Sequence, residues 1–223
     1  MSGSAVSAVV FDMDGVLTDT ETIWDEVRQG LAAQDGVPWP EEATRAMMGM
    51  STPEWSEYMA TTVGVNGDAA AVAQRTIEEM AARYHQHLPT LPGAVAAVER
   101  LSQRWPLGLA SSSPRRLIDA VLSELGIAER FGATVSTEEV AAGKPSPDGY
   151  VRVCELLGAD PTRAVAIEDS SNGIRSAAAA GMKVIAVPHE AFPPADDALA
   201  RAAAVVTSLD EVTPELVEGL LSR

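Results

Sequence analysis

The chain has 223 residues, 46% of them hydrophobic, which is enough for one sizeable core and a small additional domain. Its formal net charge of −16 argues against a nucleic-acid partner, because phosphate backbones are bound by clusters of Lys and Arg. Cys154 is the only cysteine, which excludes an internal disulfide and a cysteine-ligated zinc site. We expect no leader segment, and the sequence contains no apolar run long enough to cross a bilayer. We therefore expect a soluble, cytoplasmic monomer that binds neither nucleic acid nor membrane.

The first predicted element is a buried strand over residues 5–11. The sequence DMDGVLTDT, residues 12–20, directly follows it. Gly15 permits a sharp bend, so Asp12 and Asp14 are expected at the carboxyl end of this strand, where open α/β sheets bind ligands. Neighbouring carboxylates repel each other and attract a hard cation such as Mg²⁺. Taken alone, the same residues are equally typical of a solvated acidic turn. A calcium loop is excluded, because Val16 and Leu17 occupy the positions of a further ligand and of the required glycine.

Helical periodicity then runs through residues 21–88. It predicts four helices, over residues 22–35, 40–48, 52–63 and 68–87. Gly and Pro residues mark the breaks between them, and Thr52 is predicted as the N-cap of the third helix, with Pro53 at the first helical position. Four helices inserted after one strand predict an α-helical cap, which we define as residues 20–88.

After a return linker at residues 89–93, strands and helices alternate. Strands are predicted at 107–110, 133–135, 164–167 and 184–187 with an edge strand at 203–206, and helices at 94–104, 115–125, 148–157 and 171–180. This alternation predicts a parallel sheet covered by helices on both faces. We expect an α/β, Rossmann-like three-layer core made of residues 1–19 and 89–223.

Polar residues follow three further strands of this core. Ser111 opens the run SSS just before a helix N-terminus, which predicts an anion site, although an ordinary polar turn has the same pattern. Lys144 lies in the loop sequence GKPSP and is one of only two lysines against fourteen arginines. Glu168 and Asp169 form a second acidic pair at a strand end. Together these groups supply the acid, base, cation and anion cradle that phosphoryl transfer requires.

The motifs DMDGVLTDT, SSS, GKPSPD and EDSSNG occur in this order, and together they resemble the haloacid dehalogenase superfamily with a helical cap. The resemblance implies a phosphatase in which Asp12 attacks phosphorus and forms an aspartyl-phosphate. Asp14 would protonate the leaving oxygen and later activate water. Ser111 and Lys144 would hold the phosphoryl oxygens, assisted by backbone amides that include that of Ser112.

The resemblance also implies a magnesium cofactor. Its ligands would be the carboxylates of Asp12 and Asp169 and the backbone carbonyl of Asp14, with Glu168 close by. The implied substrate is a small phosphate ester.

The sequence argues against some of the reactions that members of this family catalyse. Asp14 argues against dehalogenation, and the absence of lysine from the cap excludes a Schiff-base phosphonate cleavage. The β-phosphoglucomutase type uses a cap histidine and a cap arginine, where this chain has Trp24 and the pair Thr52-Pro53. The segment TETIWD instead resembles sugar and hexitol phosphatases, including those acting on 2-deoxyglucose 6-phosphate. A phosphatase for sugar or polyol phosphates is predicted, with a mutase as the alternative. A non-catalytic binding module is disfavoured by the intact pair of catalytic aspartates.

Substrate selection is predicted to lie in the cap. Glu21 and Trp24 are three residues apart at the start of the first cap helix, so they share a face that is expected to meet the substrate. The alternative for Trp24 is packing inside the cap, and for Glu21 a favourable charge at a helix start. Asn172 of the fourth motif completes the predicted substrate-binding set.

Overall fold

The computed structural model describes residues 6–47, 50–189 and 193–221. The strands are β1 Ala8–Phe11, β2 Leu107–Ser111, β3 Phe131–Ser136, β4 Ala164–Glu168, β5 Lys183–Ala186 and β6 Ala204–Val205. The helices are α1 Glu21–Gln34, α2 Ala43–Met47, α3 Thr52–Tyr58, α4 Ala69–Gln86, α5 Ala94–Ser102, α6 Arg115–Glu124, α7 Asp148–Leu157, α8 Ser171–Ala179, α9 Asp196–Leu199 and α10 Pro214–Leu221. Helix α3 continues into a π-helical turn, Met59–Val63.

The six strands form one parallel sheet in the order β3-β2-β1-β4-β5-β6. The direction of strand addition reverses between β1 and β4, and this switch point is where open α/β sheets bind ligands. Phe11 of β1 is in register with Leu109 of β2 and with Ile167 of β4. The residues that follow, Asp12 and Glu168, therefore emerge side by side at the carboxyl edge of the sheet.

Both faces of the central strands are buried. Val9 and Phe11 point into a core cluster that includes side chains of α5 and α6, whereas Ala8 and Val10 point into a second cluster with side chains of α7 and α8. The alternation follows from the two-residue period of a strand, and burial on both sides explains the continuous apolar run of β1. The predicted α/β core with three layers is confirmed.

The cap contains helices α1 to α4, inserted between β1 and α5. Helix α4 packs against α1 and α3 within the cap and against α6 of the core. The structure corrects one helix start: Ser51, not Thr52, is the N-cap of α3 and forms a capping box with Glu54. Helix α2 begins at Ala43, later than predicted, and the end predicted for it at residues 48–49 lies outside the described residues. The division of the chain into two domains stays a prediction.

Two chain segments connect the cap to the core, and they pair with each other. The amide of Asp19 donates to the carbonyl of Pro89 over 2.9 Å, and the amide of Leu91 donates to the carbonyl of Leu17 over 3.0 Å. This pairing places the start of α1 directly beyond the turn that carries the two catalytic candidates.

The remaining differences concern element ends and the C-terminal region. Strand β3 is longer than predicted, and the C-terminal helices α9 and α10 were not predicted. Arg100 of α5 helps to hold the segment before α10, because its guanidinium donates to the carbonyls of Leu209 and Val212. None of the described helices is long and apolar enough to span a membrane.

Candidate active site

The turn after β1 brings its backbone close to the end of β4. The carbonyl of Met13 accepts hydrogen bonds from the amides of Leu17 and Thr18, and Gly15 adopts a φ of 84°. A Cβ atom at position 15 would lie 2.0 Å from Oδ2 of Asp169, so a larger residue could not occupy it without displacing that carboxylate. Glycine therefore serves both the bend and the close approach of the two acidic segments.

Lys144 reaches from the loop before α7 into the space between the first and fourth strands. Its ammonium lies 2.6 Å from Oδ1 of Asp12 and 2.6 Å from Oε1 of Glu168, and its side chain is only 6% exposed. Burial alone would disfavour the charged lysine, but the two carboxylates override this effect and raise the pKa of Lys144. The structure thus places the predicted lysine as a fixed positive charge beside Asp12.

Glu168 anchors this lysine. Its Oε1 accepts from Lys144 and, over 2.8 Å, from the hydroxyl of Tyr150. Its Oε2 accepts from the amides of Asp169 and Ser170 and from the hydroxyl of Ser170. Because protein donors already fill both oxygens, the contacts favour an anchoring role for Glu168; its predicted role near a metal stays a prediction.

Three carboxylates could hold a metal ion at this edge of the sheet. Asp12, Glu168 and Asp169 each offer an oxygen atom, and these atoms all lie within 4.8 Å of one another. Burial raises the pKa of both Asp12 and Asp169, and their acidic neighbours raise these pKa values further, although the ammonium of Lys144 acts in the opposite direction. Oδ1 of Asp169 is buried and has no hydrogen-bond partner among the described residues. Three negative groups beside one ammonium, with an orphaned oxygen among them, fit a hard divalent cation such as Mg²⁺.

Asp14 lies in a different environment from Asp12. Its Oδ1 accepts a hydrogen bond from the hydroxyl of Thr20 over 2.5 Å, and its Oδ2 accepts from Ser113 over 2.7 Å and weakly from Ser111 over 3.5 Å. No lysine or arginine among the described residues forms an ion pair with it. Sequence reasoning missed Ser113; the available signal was that it is the third hydroxyl of the SSS run.

The other predicted phosphate-binding and substrate-binding residues of the core differ in their contacts with Asp12 and Asp14. Ser111 is buried and accepts a hydrogen bond from the amide of Ser113 over 3.0 Å, whereas Ser112 is exposed. Asn172 lies half-buried in the first turn of α8, where its side-chain oxygen accepts from Arg175 over 3.4 Å. The structure places Ser111 next to Asp14, and no hydrogen bond among the described residues joins Asn172 to Asp12 or Asp14.

The two predicted cap residues differ in their surroundings. Glu21 is the first residue of α1 and is solvent-accessible, yet partial withdrawal from water and the charge of Asp14 raise its pKa. Trp24 is only 8% exposed; its ring lies 5.8 Å from that of Trp55, and the guanidinium of Arg28 lies 4.8 Å from its centre. These contacts favour the packing alternative for Trp24 and leave Glu21 available to a ligand.

Comparisons with known proteins agree with this geometry. Residues 6–181 match the family described as hydrolase, haloacid dehalogenase-like hydrolase. A phosphorylated carbohydrates phosphatase from Thermotoga maritima is 33% identical, covering 81% of this chain and 84% of that protein. Hexitol phosphatase B from Escherichia coli is 32% identical, covering 82% of this chain and 84% of that protein. A crystal structure of β-phosphoglucomutase from Clostridium difficile shares the fold at 22% identity, with a TM-score of 0.80 and 97% of each chain covered.

The family match covers most of the chain, including all four motifs predicted to form the site. The alignments with the two curated relatives extend over about four fifths of the sequence. The family resemblance predicted from the motifs is therefore confirmed. The chain belongs to the haloacid dehalogenase-like hydrolase family and is a phosphatase within it.

Proposed function

We propose that the protein hydrolyses small sugar or polyol phosphate monoesters in a magnesium-dependent reaction that passes through a phosphorylated Asp12. The observation that carries this proposal is the unlike surroundings of two neighbouring aspartates. Asp12 is paired with the ammonium of Lys144, whereas Asp14 accepts hydrogen bonds only from hydroxyl groups among the described residues. Two carboxylates in unlike environments are suited to two different roles.

In the first half of the reaction, a carboxylate oxygen of Asp12 attacks phosphorus, and the bond from phosphorus to the alcohol oxygen breaks. Asp14 gives its proton to that oxygen, so the product leaves as a neutral alcohol. The hydroxyls of Thr20 and Ser113 suit this role, because a hydroxyl donates to an ionised carboxylate and accepts from a protonated one. They can hold Asp14 in place in both protonation states.

In the second half, water attacks the phosphorus of the aspartyl-phosphate. Asp14, now ionised, takes a proton from this water, and Asp12 is released as a carboxylate with inorganic phosphate as the second product. Lys144 lies against Asp12 throughout and offsets the repulsion between the carboxylate and the phosphoryl oxygens.

A magnesium ion would be held by Asp12 and Asp169, with the backbone carbonyl of Asp14 as a further ligand. Bound there, it would supply positive charge that favours approach of the phosphate dianion to a carboxylate. The unpartnered oxygen of Asp169 supports this assignment.

The substrate class follows from the relatives and from the cap. Proteins of similar sequence are named for phosphorylated carbohydrates and for hexitols, and both are polyhydroxylated phosphate esters. The proposed core residues contact only the phosphate and the metal. The alcohol part of the substrate must therefore be selected by residues that close over it. Glu21, which lies near Asp14 and keeps access to solvent, is suited to accept hydrogen bonds from sugar hydroxyls. The cytoplasmic location and the monomeric state expected from the sequence stay predictions.

The proposal is tested with a panel of phosphate monoesters, each incubated with magnesium and again with excess chelator. We expect phosphate release from hexose and hexitol phosphates with magnesium, loss of that release in chelator, and recovery when magnesium is added back. Equal phosphate release in chelator would contradict the metal requirement. Activity confined to aryl phosphates would contradict the substrate class.

The alternative is a β-phosphoglucomutase type, which shares the fold. Trp24 disfavours it, because a buried indole cannot exchange protons as the histidine of that type does. Incubation with β-glucose 1-phosphate and a trace of glucose 1,6-bisphosphate separates the two reactions. A phosphatase releases inorganic phosphate, whereas a mutase accumulates glucose 6-phosphate without it.

A further inference from the structure

Arg28 on helix α1 is a buried cation that the reaction described above does not use. Its side chain is only 9% exposed and lies between two tryptophans, with the guanidinium carbon 4.8 Å from the ring centre of Trp24 and 5.1 Å from that of Trp55. These rings hold the guanidinium through cation–π contacts. Such contacts do not use its N–H groups as hydrogen-bond donors. The five donors of the guanidinium therefore remain to be accounted for.

No acceptor for these donors is found among the residues that the structure describes. The Nε atom of Arg28 is buried without a hydrogen-bond partner. Asp25, one turn earlier on the same helix, forms no hydrogen bond with it, and its two oxygens accept from Thr44 and from Gln29. Two other cap arginines are paired: Arg75 bonds Asp35 through two nitrogens, and Arg83 bonds Glu26 and Glu79. A buried donor without an acceptor is costly, and the guanidinium makes no hydrogen bond to a described residue, so its surroundings suit an acceptor that arrives from outside the chain.

The position of Arg28 relates it to the active site. Glu21 lies seven residues earlier on α1, so both side chains project from one face of the helix. Both Asp14 and Arg28 are close enough to Glu21 to act on its pKa, which Asp14 raises and Arg28 lowers. Two turns of helix separate Glu21 from Arg28 by about 10 Å along the axis, so Arg28 is suited to a group remote from the transferred phosphate.

The charge of Arg28 persists at neutral pH. Burial lowers its pKa to about 10, and the nearby carboxylates of Glu21 and Asp25 act against this decrease. A guanidinium matches the planar, two-oxygen edge of a carboxylate or a phosphate better than it matches a single hydroxyl.

We propose that Arg28 binds a second anionic group, a carboxylate or a phosphate, at the end of the substrate opposite the phosphate that is removed. The inference rests on the proposed sugar phosphatase function and narrows its substrates to phosphorylated sugar acids or sugar bisphosphates. Arg28 is then a specificity-determining residue: it contacts the part of the substrate that does not react, and Trp24 and Trp55 hold it in place.

The test uses two matched substrate pairs. Glucitol 6-phosphate and gluconate 6-phosphate differ only in whether carbon 1 is an alcohol or a carboxylate, and fructose 6-phosphate and fructose 1,6-bisphosphate differ by one phosphate. We expect the wild-type enzyme to prefer the anionic member of at least one pair, by about tenfold or more in kcat/KM, as charge-assisted hydrogen bonds do. The preferred pair identifies the anionic group.

Arg28→Gln should lose about tenfold or more in kcat/KM on that anionic substrate and less than about threefold on its neutral partner. Arg28→Lys should retain part of the preference, because it keeps the charge without the planar donor edge. The matched control is Arg83→Gln, which removes a solvent-exposed cap arginine and should leave both substrates unchanged. Equal losses on both members of a pair would assign Arg28 to packing or to balancing Glu21, and would overturn the inference.

Failure of the proposed function is visible separately. If none of these substrates is hydrolysed with magnesium, the proposed function is wrong. Calorimetric measurement of the binding of gluconate 6-phosphate, glucitol 6-phosphate and fructose 1,6-bisphosphate then still tests the role of Arg28. Tighter binding of an anionic compound than of glucitol 6-phosphate, lost in Arg28→Gln, supports the inference. If Arg28→Gln does not fold, the wild-type preference and the Arg28→Lys result decide. A wild-type enzyme that prefers the anionic member of neither pair, whether it shows equal kcat/KM or prefers the neutral member, would overturn the inference.

Discussion

Replacing Tyr150 with Phe removes a single hydroxyl group from the buried network that holds Lys144 beside Asp12. Tyr150 is fully buried on α7, and its hydroxyl donates to Oε1 of Glu168 over 2.8 Å. The ring itself also lies near the ammonium, with Nζ of Lys144 5.1 Å from its centre. Phe keeps the ring and removes only the hydrogen bond, so the substitution isolates the contribution of that bond.

The expected cost follows from the type of bond. A hydrogen bond to a charged group contributes about 1.5–3 kcal/mol. The lower end applies here, because Oε1 of Glu168 keeps its bond to Lys144 and is not left unpaired. For a chain of this length, a loss of about 1.5 kcal/mol lowers Tm by roughly 3–6 °C. Turnover should fall by less than about tenfold, since Lys144 retains both of its ion pairs.

Tyr84→Phe is the matched control for stability. Tyr84 is also buried, on α4, but its hydroxyl has no hydrogen-bond partner among the described residues; the hydroxyl of Thr20 lies near it and donates to Asp14 instead. Removing an unsatisfied hydroxyl should leave the free energy of unfolding within about 0.5 kcal/mol or raise it. Urea unfolding followed by circular dichroism measures both variants. Equal free energies of unfolding for the two variants would refute the assignment of Tyr150 as a stabilising donor to Glu168.

Three further substitutions separate chemistry, selectivity and packing. Asp14→Asn should lower kcat by about 10²-fold or more with the fold intact, because an amide cannot exchange the proton. A kcat within threefold of wild type in a phosphate-release assay would contradict the acid–base role of Asp14. Glu21→Ala should lower kcat/KM for a good sugar phosphate by more than about tenfold while p-nitrophenyl phosphate changes little, since only the sugar offers hydroxyls to the carboxylate; parallel losses would assign Glu21 to structure. Trp24→Ala should lower stability by about 3–5 kcal/mol and reduce activity on both substrates, because it empties a packed site against Trp55 and Arg28; unchanged thermal unfolding would contradict this.

The sheet was predictable because its physical signals are local. Each central strand is buried on both faces, so β1, β2 and β4 are nearly continuous apolar runs, and each ends where a polar motif begins. Parallel strands bring those ends to one edge, and the register of β1 with β4 then places Asp12 beside Glu168. Sequence reasoning thus placed Asp12 and Glu168 at one edge of the sheet without any contact information, and their catalytic roles stay a prediction.

The contacts around those residues depend on tertiary packing and were not predicted. Tyr150 has the pattern of a core position on α7, and nothing local indicates that its hydroxyl bonds a carboxylate 18 residues later. Ser113 was one of three adjacent serines, and only the turn geometry selects it as the donor to Asp14. The N-cap of α3 was misplaced by one residue because Ser51 and Thr52 both suit that position. The burial of Arg28 depends on Trp55 from another helix.

Trapping the phosphorylated enzyme tests the central claim most directly. Wild-type protein is mixed with magnesium and a ³²P-labelled hexitol phosphate, quenched in acid within the first turnover, and digested for mass spectrometry. The account predicts label on the peptide that contains Asp12, and no label with the folded Asp12→Asn variant, whose turnover should fall by about 10⁴-fold or more, as loss of a covalent nucleophile does. Label on another residue, or near-normal phosphate release by folded Asp12→Asn, would contradict it.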